Sequence, residues 1–466
     1  MAVIETRSMK FATVIVGHLK AASYLELSVL ALAVIFMISY ATSSESSKPV
    51  GAPFAPKKWK FAPSAIQKLR FTIQARDVLQ EAYDKRSMPR TVLNATHAQA
   101  ANLCAQYTHV DFLFHSDLLL RVVNNKLTPN LNMYVNWAQE EMNEAFHSNM
   151  PRTDDLSVQF TKDLFGTGFI LKHFPNWLRP VVAPLIPNRW RLRQCVEKGK
   201  KIVGSQIKMR QDAIASNMPP EDTLLGWMLD NGTDVEIELT RITHMQLLLM
   251  LASIHITTMT AANFLFDLCT HVEWMPVLRK EIEDVIAEYG PVGSRPDIPA
   301  RVWLSKLEKM DSFLVESQRL EPATQLKPMR AVLQDVTLKD GTRLPRGTLI
   351  AWTGHQHVHD PAVNPDPYVF DPMRSYRKRY ANDKAEYNKY VAGQNELTNL
   401  AFGYGNQACP GRYFAVNEIK LMLSRLVMEC EWKLPNGTTR PQSYGIEENY
   451  FLQPHCKIMM RSRKVE

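Results

Sequence analysis

Near the carboxyl end of the chain, residues 402–412 read FGYGNQACPGR, and residues 413–430 continue as YFAVNEIKLMLSRLVMEC. The glycines of the first part predict a kinked loop, and the periodic apolar residues of the second predict a helix. Cys409 therefore stands just ahead of a helix amino terminus, where unpaired N–H groups and the helix dipole stabilise a thiolate. Such a thiolate is a candidate metal ligand, whereas a lone cysteine without these neighbours is more often a buried structural thiol.

The spacing of Phe, Gly, Cys and Gly in this loop resembles the haem-binding signature of the cytochrome P450 superfamily. The resemblance implies that Cys409 is the axial ligand of the iron of haem b. It also implies that Phe402 shields the sulfur, and that Gly405 and Gly411 allow the backbone to approach the porphyrin. The reaction expected from the resemblance is the insertion of one oxygen atom from O2 into an organic substrate.

The loop departs from the family pattern at one position. The family usually carries Arg or His two residues before the cysteine, and this chain has Gln407 there. A charged contact to a haem propionate is then lost, and we expect Arg412 or another base to take its place as a cofactor-binding residue.

Upstream of the loop, the segment SFLVESQRLEPATQLKPMR at 312–330 places Glu316 and Arg319 three residues apart, on one face of a helix. A lone pair of this kind is usually a solvated surface pair. In the family, however, the pair completes a buried triad with an Arg from a Pro-x-Arg segment, which Arg374 matches here. The resemblance therefore implies a structural triad of Glu316, Arg319 and Arg374, since buried charges persist only when they satisfy one another.

Residues 247–268, LLLMLASIHITTMTAANFLFDL, predict a long helix that is apolar nearly all round and hence buried in the core or against a flat cofactor. By resemblance it crosses the distal haem face, where the family places an acid and then a Thr for proton delivery. His255 stands at the position of the acid, and Ile256 removes the hydroxyl. We expect His255 and Thr257 to be the catalytic residues, with Ser253 or ordered water as alternatives to Thr257.

The amino-terminal part predicts attachment to a membrane. After a segment at 1–23, residues 24–41 read YLELSVLALAVIFMISYA, which at 1.5 Å per residue spans about 27 Å, close to a bilayer core. We assign 24–44 to a transmembrane anchor in preference to a cleaved signal peptide, and 45–60 to a proline-rich hinge. A slight excess of Lys after the anchor favours a cytosolic body on a single-pass protein of the endoplasmic reticulum.

Residues 61–466 are predicted to form one catalytic domain. Helical periodicity dominates it, and strand signals are confined to patches such as VTLKDGTRLPRGTLIAW at 336–352 and HCKIMMRS at 455–462. No glycine-rich nucleotide fingerprint follows a strand. The expected fold is mainly α with small β-sheets, the cytochrome P450 fold, although the chain is shorter than its apparent relatives near Arg86.

The net charge and the cysteine spacing limit which binding partners and metal sites the sequence predicts. The chain has 55 Lys and Arg against 47 Asp and Glu, a net charge of +8, which suits an acidic protein partner better than a nucleic acid. The six cysteines show no close pair that would indicate zinc or a disulfide framework.

The resemblance implies electrons from an NADPH-dependent reductase and a lipophilic substrate. Its fungal type favours a terpenoid or meroterpenoid intermediate of secondary metabolism. Two alternatives stay open: a haem-thiolate isomerase or dehydratase that needs no reductase, suggested by Ile256, and a catalytically impaired, anchored haem-binding protein, suggested by Gln407 and the shortening near Arg86.

Overall fold

The computed structural model describes residues 73–80, 92–94, 105–108, most of 116–142 and nearly all of 156–463. The predicted anchor, the hinge and the shortened stretch at Arg86 lie outside the described residues. Within them the chain is mainly helical with small β-sheets, which confirms that part of the predicted fold class.

Residues 73–80 are helical. The helices that follow are, in chain order, α1 (Ala105–Thr108), α2 (Leu118–Val122), α3 (Leu156–Leu171), α4 (Arg179–Val182), α5 (Pro187–Ala215), α6 (Leu224–Asn231), α7 (Leu239–Thr270), α8 (Trp274–Tyr289), α9 (Ala300–Ser305), α10 (Glu308–Leu320), α11 (Gly354–Val358), α12 (Arg374–Ala381) and α13 (Arg412–Glu429). A π-helical turn (Val123–Leu127) and two 3-10 turns (Ala183–Leu185 and Lys384–Tyr390) accompany them.

The strands pair antiparallel in small sheets, and they are β1 (Val92–Asn94), β2 (Met329–Ala331), β3 (Val336–Thr337), β4 (Arg343–Leu344), β5 (Leu349–Trp352), β6 (Cys430–Lys433), β7 (Tyr444–Ile446), β8 (Asn449–Phe451) and β9 (Met459–Ser462). The described sheets have the orders β1-β5-β2, β3-β4, β6-β9 and β7-β8. The predicted hairpin is β3-β4, with Gly341 at φ +85° in its turn, a conformation that favours glycine. The predicted carboxyl-terminal strand is β9.

Strand β1 was not predicted. It lies just after the stretch where the chain is short, and Leu93 pairs with Ala351 of β5. The sheet therefore receives a strand from the segment that follows the predicted shortening near Arg86.

Helix α7 runs through the middle of the fold. Ile242 and Met245 near its start are buried in a cluster with α2 and α6, whereas Phe264 and Leu268 near its end belong to the main core. Among the described residues, α7 is the helix long and apolar enough to cross a membrane by length and composition. Both ends of the helix are packed in protein, and 22% of its most apolar stretch is buried.

The main core lies between α7, α8, α10 and α13. Phe313 of α10 is fully buried at its centre, with its ring centroid 4.5 Å from that of Phe264 and 5.0 Å from that of Phe370. Phe370 belongs to the segment that leads into α12, so Phe313 joins that segment to α7 and α10.

Replacing Phe313 by Ala should lower the free energy of unfolding by about 3–5 kcal/mol, because it removes a ring that three elements share and leaves a cavity. Urea unfolding followed by circular dichroism measures the change. Leu333→Ala is the matched control, since Leu333 is 82% exposed and its truncation should leave the midpoint in place. An unchanged midpoint in Phe313→Ala would contradict the packing described here.

Candidate active site

The loop before α13 is shaped by glycines and by its own hydrogen bonds. Gly403 and Gly405 have φ of +82° and +69°, where a side chain would be strained. The N–H of Cys409 donates to Phe402 O at 2.9 Å, and the N–H of Ala408 donates to Gly405 O at 2.9 Å. The loop therefore turns back on itself and presents Cys409 three residues before the helix begins.

The Cys409 side chain is exposed, unlike those of Cys195, Cys269 and Cys430. Desolvation by the protein around it raises the pKa of its thiol, while a hydrogen bond from the Gly411 N–H and the positive charge of Lys327 act in the opposite direction. An exposed sulfur with a backbone donor and a nearby cation is suited to bind a metal ion as the thiolate.

The surroundings of the sulfur fit a flat macrocycle. A Cβ added at Gly405 would meet no described atom within 4 Å, and one added at Gly411 would meet only Val123, at 3.8 Å. Phe402 is half-buried and packs against the main core, so the loop is fixed on its other side. Cys409 could therefore serve as axial ligand to haem b, with the two glycines leaving room beside it.

Arg412 is already engaged by the protein. Its Nη1 donates to Cys409 O at 3.0 Å, and its guanidinium carbon lies 4.4 Å from the centroid of the Tyr413 ring. These contacts brace the loop from the helix side. Gln407 lies outside the described residues, and a propionate contact by Arg412 stays a prediction.

The three residues of the predicted triad meet in one buried ion cluster. Arg319 Nη2 lies 2.8 Å from Glu316 Oε1, and Arg374 Nε lies 3.3 Å from Glu316 Oε2. The side chains of Glu316 and Arg319 are almost fully buried. One carboxylate between two guanidinium groups leaves no buried anion unpaired.

The cluster also holds backbone in the segment between α11 and α12. Arg319 Nη1 donates to Pro367 O at 2.5 Å, and Arg374 Nη1 donates to Pro365 O at 2.6 Å. The Asp371 N–H donates to the carboxylate of Glu316 at 3.0 Å. The triad thereby fixes an otherwise irregular segment against α10, which is a structural role.

A second buried charge cluster on α10 was missed by sequence reasoning. Asp311 lies 3.0 Å from Nζ of Lys420 on α13, pairs with Arg379 of α12, and accepts the Ala392 N–H at 2.7 Å. Burial raises the pKa of Asp311, but the charges of Lys420 and Arg379 outweigh it and leave that pKa lowered. No sequence motif marked Asp311, which is one of several polar residues buried along α10.

The middle third of α7 is open on one side. Ser253 and Ile256 are exposed, His255 is half-buried with no hydrogen bond to Nε2, and Thr257 is buried. Thr260 on the next turn donates its hydroxyl to Ile256 O at 2.8 Å. Thr257 stands four residues after Ser253 and shares a helix face with it, although Thr257 itself is buried, and its catalytic role stays a prediction.

Two imidazoles are buried behind the ion cluster. The ring centroids of His355 and His359 lie 4.1 Å apart, and Nδ1 of His359 lies 2.7 Å from His355 O. Burial lowers the pKa of His355 well below its usual range and that of His359 to about 4. Both rings are therefore neutral in the folded protein near pH 7.

A mainly helical fold that presents one exposed cysteine from a glycine loop ahead of a helix, braced by a buried Glu-Arg-Arg cluster, defines a haem-thiolate protein. A sequence profile of the cytochrome P450 family matches residues 139–460, about two thirds of the chain. The chain belongs to this family, as an oxidoreductase of the monooxygenase type.

Several similar proteins come from fungi. The chain is 36% identical to a cytochrome P450 monooxygenase from Stachybotrys chlorohalonatus, over 97% of this chain and 98% of the relative. It is 32% identical to a cytochrome P450 monooxygenase from Emericella nidulans, over 93% of this chain and 91% of the relative. It is 29% identical to an ent-kaurene oxidase from Gibberella fujikuroi, over 90% and 94% respectively. These relatives confirm the fungal secondary-metabolism type.

The first of these alignments also shows that the chain is short. It extends over 513 positions, whereas 97% of this chain is about 450 residues, so about 60 residues of the Stachybotrys protein face gaps in this chain. This chain is therefore shorter than that relative over the aligned stretch.

Glu316→Gln should lower the free energy of unfolding by about 3–5 kcal/mol, because it leaves two buried guanidinium groups without their anion. Urea unfolding measures the change. Asp284→Asn removes the exposed ion pair with Lys280 and should change nothing measurable. Equal midpoints for the two variants would show that the Glu316 cluster is dispensable for stability.

The histidine pair should make the protein acid-sensitive. The unfolded chain binds a proton at His359 near pH 6.5 and the folded chain near pH 4, so the unfolded state takes up more protons between these values. The contribution of His359 to the free energy of unfolding is therefore fully present above pH 6.5. As the pH falls towards 4, that contribution is lost and stability decreases by about 3 kcal/mol.

Urea midpoints at several pH values measure this dependence. In His359→Asn, the urea midpoint should depend less on pH between 6.5 and 4 than it does in the native protein. The carboxylates that also titrate in acid are present in both proteins, so the difference reports His359. An identical slope would contradict the assignment.

Proposed function

We propose that the protein oxidises a lipophilic terpenoid or meroterpenoid intermediate with O2, using electrons that an NADPH-dependent reductase supplies. The exposed Cys409 thiol ahead of α13 is the observation that carries the proposal. Haem bound through this sulfur supplies O2 activation, in the balanced reaction R–H + O2 + 2 electrons + 2 protons → R–OH + H2O. The protein's own groups hold the sulfur, orient the substrate and deliver protons.

Support for the substrate class comes from α7 and from one relative. Ile254 and Ile256 on the open side of α7 are exposed apolar residues, which suit a lipophilic substrate. The relative named as an ent-kaurene oxidase acts on a terpenoid hydrocarbon, and a related substrate is proposed here.

Ile256 has no hydroxyl, so another residue would have to deliver the protons. Ser253 carries a hydroxyl on the open side, one turn before Ile256. His255 has a buried Nε2 that makes no hydrogen bond to a described residue. We propose that Ser253 or Thr257, which stand four residues apart on one face of α7, delivers the protons, with His255, on another face of the helix, as the alternative.

The reductase would dock by electrostatic attraction. The net charge of +8 favours an acidic partner surface, and opposite charges raise association rates at low ionic strength. Raising the salt concentration should therefore weaken reduction by the partner while leaving chemical reduction unchanged.

Membrane attachment through 24–44, with the body in the cytosol at the endoplasmic reticulum, completes the proposal. Trp177, Val181, Leu185 and Trp190 are each more than half exposed within fourteen residues around α4. Tryptophan and aliphatic side chains together favour the interface of a bilayer. This apolar surface supports a body that also touches the membrane.

One observation favours a second candidate. Ile256 has no hydroxyl for ordinary oxygen activation, and a haem-thiolate isomerase or dehydratase would need none. Omitting NADPH and O2 separates the two, because an isomerase would still form product and a monooxygenase would not.

The dithionite-reduced protein in CO should show the absorbance band of a thiolate-ligated haem. Cys409→Ala should lose this band because the axial sulfur is gone, and Cys456→Ala, which removes a half-buried thiol elsewhere, should keep it. Survival of the band in Cys409→Ala would reject the ligand assignment. Absence of the band from the native protein would favour the impaired haem-binding alternative.

A further inference from the structure

Lys327 reaches the loop of Cys409 from the segment after α10. Its Nζ donates to Ala401 O at 2.6 Å, on the peptide that leads into the loop. From the same segment, Arg330 Nη2 donates to Tyr404 O at 2.7 Å. Two cations from one short segment thus hold two carbonyl groups of the loop.

The backbone at Lys327 has little freedom to move. Its N–H donates to Trp352 O at 2.9 Å, and the Trp352 N–H donates to Pro328 O at 3.0 Å. A Cβ at Gly354 would come within 2.9 Å of Lys327 O, so the segments that contain Gly354 and Lys327 approach each other as closely as a glycine allows. The ammonium group is therefore delivered to a fixed place.

No described carboxylate pairs with Lys327. The surrounding protein lowers its pKa to about 8, and the opposing influence is the charge of Cys409. A largely desolvated cation is costly unless an anion is near. The partner of its ammonium group is the carbonyl of Ala401, at the entry to the loop of Cys409.

We infer that Lys327 is a positioning residue for Cys409: its ammonium group fixes the entry to the loop and brings a positive charge to that loop, which makes bound haem iron easier to reduce. The inference rests on the proposed function, because it takes Cys409 as the axial ligand. It also explains how the chain manages with Gln407 where its family usually carries a base, since a positive charge reaches the loop from another segment.

The physical reason is electrostatic. One-electron reduction of ferric to ferrous haem, with the electron supplied by dithionite or by the reductase, adds negative charge to the site. A nearby fixed cation stabilises the reduced form more than the oxidised form, and charges and hydrogen bonds around the sulfur are known to set haem potentials.

The test is a potentiometric titration of the haem-loaded, full-length protein under argon. Lys327→Gln keeps a donor for Ala401 O without the charge, and Lys327→Arg keeps the charge. We expect a more negative midpoint potential in Lys327→Gln and a potential near that of the native protein in Lys327→Arg. Lys280→Met, which removes an exposed cation of α8, controls for net charge.

An unchanged potential in Lys327→Gln, with the thiolate-type CO band intact, would overturn the inference. If Lys327→Gln binds no haem while Lys327→Arg does, the charge is required for the ligand and the inference stands. If neither variant binds haem, the loop requires the shape of lysine rather than its charge, and the inference fails. Loss of the CO band from the native protein would reject the proposed function instead, whatever the variants show.

Discussion

The carboxylate of Glu316, shared between Arg319 and Arg374, is the constraint on which the rest of the site depends. One of its partners, Arg374, lies 58 positions further along the chain, and both partners immobilise backbone carbonyls that no regular ladder would satisfy. Breaking such a cluster costs more than forming it gains, because the remaining charges would be buried without partners. The irregular segment before α12 is thus held by charge, where most of the molecule is held by apolar packing.

Helix α10 carries a second such constraint through Asp311. Glu316 secures the chain on its way to the cysteine loop, and Asp311 secures α13, which leaves the loop, through Lys420. Both carboxylates belong to one rigid helix whose Phe313 is fully buried in the core. Cys409 is therefore positioned from both directions by the same element, and the loop itself needs few bonds of its own.

Sequence reasoning succeeded where the signal is local. The alternation around Gly341, the long apolar run of α7 and the glycines around Cys409 each determine their own conformation over a few residues. The pairing of Leu93 with Ala351, the Asp311 cluster and the contact of Lys327 with Ala401 depend on residues brought together by the whole fold, and no periodicity reports them.

Helix α7 shows a different limit of prediction from sequence. A helix that is apolar nearly all round gives no moment from which to read its orientation, so the burial of Thr257 and the exposure of Ile256 could not be ordered from sequence. The proximity of Glu316 to Arg374, by contrast, followed from a motif, because the family resemblance supplied the long-range pairing that spacing alone cannot.

The ladder between β6 and β9 has a consequence for how the protein is made. It joins Cys430, directly after α13, to Ser462, so the end of the helix behind Cys409 gains its strand pairing only when the last strand has been translated. A ribosome releases amino-terminal structure first, so α7, α10 and the loop all emerge before β9. A stop codon between residues 410 and 458 would therefore yield a chain with the cysteine but without the strand that pairs with β6 behind it.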